Sequence, residues 1–125
     1  MRYTRIYTDD VGDSHFEDVT VDGEERRSPV SDGTSEYSEP IPARSIVLRR
    51  VVTPHPEAPH RAPRRQFAVH LRGSAEVEVS SGEVRTFGPG DVVLLEDVEG
   101  VGHVTREVGD AERITMFIEL AEGTE

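Results

Sequence analysis

The stretch that decides the fold runs from residue 65 to residue 95, "RQFAVHLRGSAEVEVSSGEVRTFGPGDVVLL". Within it "AEVEVS" alternates apolar and polar residues, "SSG" turns the chain, and "EVRTF" alternates again. Successive side chains on a strand point to opposite faces, so this alternation marks strands with one face in a core. Gly73 stops the strand "RQFAVHLRG", and "GPGD" turns the chain into the short apolar strand "VVLLED".

Outward from this hairpin the same reading continues. "ARSIVLRRVV" (43–52) is rich in β-formers, and "TPHPEAPHRAP" (53–63), with four prolines, is a loop. After the glycine-rich loop "EGVGH" (99–103), "HVTREV" and "RITMFIEL" form a last strand pair joined by "GDA". The N-terminal part offers two weaker strands, "RYTRIY" and "HFEDVTV". Residues 22–42 are polar and rich in Pro, Gly and Ser, and are expected to form a long surface loop. No segment has a convincing helical period. Short strands about ten residues apart predict an all-β sandwich or barrel.

Composition narrows the function. A chain of 125 residues fits one domain, here 1–125, large enough to bury a core unaided. Without cysteine there are no disulfides, iron–sulfur clusters or thiolate zinc sites. The net charge of −11 argues against nucleic acid and anionic membranes as partners. No apolar run approaches the length of a membrane span, and "MRYTRIYTDD" has no apolar leader core, so the expected location is cytoplasmic. All 14 basic residues are arginine. A GC-rich genome or adaptation to high salt accounts for that, the second being favoured, and neither speaks to function.

Two segments then line up with known motifs. Cupins carry a first motif G-x5-H-x-H-x3-4-E-x6-G and a second G-x5-P-x-G-x2-H-x3-N. Here His60 stands at the first histidine, Ala62 at the second, Gln66 at the glutamate, and Gly73 closes the motif at the expected distance. In the second, Gly90 opens "GDVVLL", Glu96 replaces the proline, and a loop about two residues longer delivers His103; the asparagine is absent. Over roughly residues 43–120 the chain resembles the cupin superfamily. That resemblance implies a small jelly-roll (double-stranded β-helix) barrel.

The resemblance also implies a metal site inside the barrel, with His60, Gln66 and His103 as ligands to a divalent ion such as zinc, iron, nickel or manganese. One histidine has become alanine and the carboxylate an amide, so binding should weaken and the ion should keep more Lewis acidity. Some cupins that cyclise polyketides also use a glutamine ligand. His55, in the same proline-braced loop, either supplies the missing ligand or is an exposed loop histidine. The alternative to a bound ion is that the ion has been lost and the pocket survives as a binding site.

Other residues follow from strand parity. Gln66, Ala68 and His70 share one face, so an inward Gln66 brings His70 with it. His70, about 13 Å further along the strand, is too far to bind the same ion. It is either a proton donor or acceptor in the pocket, or a buried histidine tied to a carbonyl. Arg64 shares that face at the mouth, to hold a ligand's anionic group or to pair with a surface acid. Glu96 and Asp97 either orient His103 or merely end a strand. His15 is expected at the surface, and Met116 and Ile118 in a core.

The resulting expectation is a cupin that binds a divalent metal and acts on a small organic molecule by cyclase, isomerase, lyase or dioxygenase chemistry. The alternative is a non-catalytic small-molecule binding module. A homodimer is expected, because an open jelly-roll edge needs cover.

Overall fold

The computed structural model describes residues 1–54 and 56–121. Among these, eleven strands form and no helix does. In chain order they are β1 (Arg2–Thr8), β2 (Ser14–Thr20), β3 (Glu24–Arg27), β4 (Thr34–Tyr37), β5 (Ala43–Arg50) and β6 (Gln66–Arg72), then β7 (Ser74–Val79), β8 (Val84–Phe87), β9 (Val92–Leu95), β10 (His103–Val108) and β11 (Ile114–Leu120). No helix of the described residues is long and apolar enough to cross a membrane.

Two sheets carry the architecture. The larger has the order β2-β1-β9-β6-β11-β5 and the smaller β10-β7-β8. Every pairing is antiparallel except β1 with β9. The N-terminal hairpin β1–β2 is therefore part of the main sheet. The sheets face each other across one core: Ile6, Phe16, Ala68 and Val93 from the larger meet Val77, Val79 and Phe87 from the smaller. Burying a large apolar side chain of this kind contributes about 1.5–3 kcal/mol. The alternation read in "AEVEV" is the pattern observed, with Ala75, Val77 and Val79 inside and Glu76 and Glu78 half-buried.

The outer face of the larger sheet is also partly covered. Phe67, Leu94 and Leu120 form a second buried cluster, flanked by Tyr3, Val92 and Ile118, with Tyr3 edge-on to Phe67 at 5.2 Å. Both faces of β6 and β9 are thus buried, which is why "QFAV" and "VVLL" read as continuous apolar runs. Met116 and Ile118 point to this outer side and not into the space between the sheets, in register with Val69 and Phe67.

Residues 22–42 lie largely at the surface, but they are not loop throughout. β3 and β4 pair as an exposed hairpin, from Glu24 opposite Tyr37 to Arg27 opposite Thr34. "EERR" and "TSEY" have no apolar face, so hydrophobic alternation had nothing to signal. What joins them is the backbone ladder, with Arg26 stacked 5.2 Å over the Tyr37 ring.

Candidate functional site

Core side chains do not fill the whole space between the sheets. A cavity of about 600 Å³ remains, within the size range of small-molecule sites. His60, Gln66, His70 and His103 all line it, and Arg64 stands at its wall.

One end is built by the loop before β6 and the loop before β10. His60 and His103 exchange backbone hydrogen bonds, N to O, of 3.0 and 2.9 Å. Gly102 makes this approach feasible. Its φ is +82°, and a Cβ there would collide with the His60 carbonyl. The two imidazole rings then lie 4.7 Å apart between centroids, tilted by 57°. His60 is exposed, while His103 and Gln66 are buried.

His103 is held by Asp97, which is wholly buried at 0% exposure and hydrogen-bonded to Nδ1. A carboxylate only accepts, so Nδ1 carries the proton and Nε2 is the nitrogen left for the cavity. Asp97 is itself anchored, since its carbonyl accepts from the Ala62 N–H at 3.1 Å. Of the two acids that sequence left open, Asp97 orients His103. Glu96 faces the other side of the sheet and pairs with Arg5 and Arg65, each at 2.5 Å.

The donor set at this end fits a divalent ion in type: two imidazoles and one amide oxygen, with His103 already held by an acceptor behind it. Ala62, two residues after His60, is buried and offers no donor. Among the described residues no three His, Cys, Asp or Glu side chains converge on a point, so Gln66 would have to be the third ligand. His55, named as a further ligand, lies outside the described residues.

The other end lies four residues further along β6 and β10, at His70 and Glu107. His70 is 5% exposed, stacked on Phe87 with centroids 5.9 Å apart, and its Nδ1 has no hydrogen-bond partner among the described residues. Burial pushes its pKa below the usual histidine value, and the charges of Arg113 and Arg49 add to this against Asp91. Arg113 is buried and held in a fork by Glu107, with bonds of 2.7 and 3.1 Å. Gly73, at φ +72°, closes β6 against this element; a Cβ would come within 2.7 Å of the Glu112 carbonyl oxygen. Arg49, on β5, lies 4.6 Å above the Phe117 ring, and burial depresses its pKa, with Arg113 contributing. Thr115, on β11, is 1% exposed.

Arg64 is mostly exposed, borders the cavity and pairs with the surface acid Glu119 at 3.5 Å. His15 is part-exposed and bonds Asp9 at 2.6 Å, away from the cavity. Arg49, Glu107, Arg113 and Thr115 were not singled out from sequence. The signal for Glu107 was available, because it shares parity with His103 along "HVTREV". An arginine next to an apolar run, as at Arg49 and Arg113, reads equally well as a strand end. No protein-family model matches the chain, and no curated protein does either.

Proposed function

We propose that the protein is a single-domain cupin with a jelly-roll barrel, which holds a divalent metal through His60, Gln66 and His103 and acts on a small organic molecule in the cavity beyond. The observation that carries this reading is the buried Asp97–His103 hydrogen bond. A carboxylate behind a histidine fixes its tautomer and its ring, as metal-binding histidines commonly require. The motif register of His60, Gln66 and His103 supports it, as does the 4.7 Å separation of the imidazoles.

A bound ion would supply Lewis acidity toward a substrate oxygen. The remaining work belongs to the chain. Asp97 fixes the ring of His103 with Nδ1 behind it and Nε2 toward the cavity, Gln66 adds a neutral oxygen, and Ile6, Val93, Leu95 and Phe117 give the cavity an apolar wall. With no carboxylate among these three ligands, cyclisation, isomerisation or lyase chemistry fits better than oxygen activation. A cytoplasmic setting and a homodimeric state belong to the same reading. A second reading, a non-catalytic binding module, is favoured by the polar groups around His70, which need no metal to hold a ligand.

Metal analysis of the purified protein decides between them. Near-stoichiometric metal in the parent, lost in His60→Ala and in His103→Ala, is the expected result. A metal-free parent that stays metal-free after incubation with zinc, iron, nickel and manganese salts would leave the binding module.

A further inference from the structure

Arg49, Thr115 and His70 stand in one row across three adjacent strands. Thr115 on β11 is opposite Arg49 on β5 and opposite His70 on β6. All three side chains line the cavity. We infer that this row is an oxyanion subsite that takes the carboxylate of a small organic acid. The inference rests on the reading of the cavity as a small-molecule site, and not on the metal.

The row is defined by what it lacks. Nε of Arg49, Oγ1 of Thr115 and Nδ1 of His70 are all buried and have no hydrogen-bond partner among the described residues. Thr115 and His70 are at least nine-tenths buried. Buried polar atoms are nearly always satisfied, so three orphans side by side in one cavity mark a place where another molecule completes the bonds.

Charge identifies that molecule. Arg113 and Glu107 satisfy each other in a bidentate pair, which leaves Arg49 without an acid in hydrogen-bond contact among the described residues. The chain has 25 acidic and 14 basic residues, so a half-buried arginine without a paired acid goes against its composition. One cation with one hydroxyl and, in its Nδ1–H tautomer, one imidazole donor matches a singly charged oxyanion. The surroundings match an organic body: Phe117 lies under the Arg49 guanidinium and Phe87 against the His70 ring. A guanidinium stacked on a ring keeps its N–H edge for a planar carboxylate. The anion contact expected at Arg64 is thus better met at Arg49, which is deeper and has no ion-pair partner among the described residues.

The test uses a carboxylate panel (acetate, benzoate and phenylacetate), with benzamide as the neutral match to benzoate, by calorimetry on the full chain. The expected result is that at least one carboxylate binds, and that benzoate binds at least tenfold tighter than benzamide. Arg49→Met should weaken the carboxylate at least tenfold and Thr115→Val severalfold, while Arg50→Met, on the outward side of the same strand, leaves it unchanged. Should Arg49→Met fail to fold, Thr115→Val, nearly equal in shape, still reads the site. Equal binding of benzoate and benzamide overturns the inference. So does no binding by any carboxylate, or loss in Arg64→Gln with retention in Arg49→Met. Metal content is measured on the same samples. Carboxylate binding by a metal-free protein removes the metal and keeps the subsite, whereas a metal-loaded protein blind to carboxylates does the reverse.

Discussion

Asp97 and His103 form a buried pair in which the carboxylate meets Nδ1 and leaves Nε2 to the cavity. Five residues, two of them glycine, separate them, so the pair depends on that loop folding back on itself. The contact makes one histidine of the candidate site rigid before any ligand arrives. In Asp97→Asn the amide can turn either its oxygen or its nitrogen to the ring, so the tautomer is no longer imposed. Metal retention should fall about ten- to a hundredfold, and losing a buried charged hydrogen bond should cost about 1.5–3 kcal/mol. Metal analysis and urea unfolding of parent and variant check both. Unchanged retention would mean that Asp97 acts on the fold alone.

Gln66→Glu restores a carboxylate at nearly equal size. With an ion present, the charged oxygen should hold it more tightly, raise the melting temperature and slow Lewis-acid chemistry. Without one, the variant places an unpaired carboxylate in a buried wall, which costs stability or forces the group to stay protonated. The sign of the change in melting temperature, read beside metal content, separates the two.

Gly102→Ala tests the approach of the two loops. The residue sits at φ +82° with the His60 carbonyl in the space of a side chain. The substitution should destabilise the fold by about 1–3 kcal/mol and part His60 from His103. Hydrogen exchange at the amides of these two residues should rise well above the parent's. Protection as strong as the parent's would show that the loop absorbs the methyl group.

His70 sets a pH dependence with a definite sign. Its folded pKa lies below the unfolded value of about 6.5, because it is buried and because Arg113 and Arg49 are near, with Asp91 opposing. Below that pH the unfolded chain takes up the proton first. Stability from this group is therefore full above about pH 6.5 and falls as the pH drops toward the depressed folded value. His70→Phe should lessen the loss of stability between neutral and mildly acidic pH. A ring proton titration by NMR should give a midpoint below 6.5, moving upward when benzoate is bound. A midpoint at or above 6.5 in the free protein would contradict this.

β5 is one of the two edge strands of the larger sheet, with Ile46 and Leu48 64% and 68% exposed. An apolar edge strand of this length is a template for a second copy paired antiparallel about a two-fold axis. Sizing with light scattering should return twice the chain mass, and Leu48→Glu should return the single chain. A parent that is monomeric at micromolar concentration would end the dimer reading.

Nearly every strand of the two main sheets was legible in the sequence, as was the shared face of Gln66, Ala68 and His70. Alternation records burial strand by strand, and burial is decided locally by which side a side chain takes. The hairpin β3–β4 left no such trace, because neither of its faces is buried. Parity alone did not choose between Glu96 and Asp97. The end of β9 did, sending Glu96 out to Arg5 and Arg65 and turning Asp97 in beneath His103. The row of Arg49, Thr115 and His70 was least visible. Its members are far apart in the chain and meet only through the registers of β5, β11 and β6. Register is carried by backbone hydrogen bonds that are the same for every residue type. Sequence therefore determined the strands and, where apolar and polar residues alternate, their inward face, and only the tertiary structure decided which polar residues turn into the cavity and which of them stand side by side.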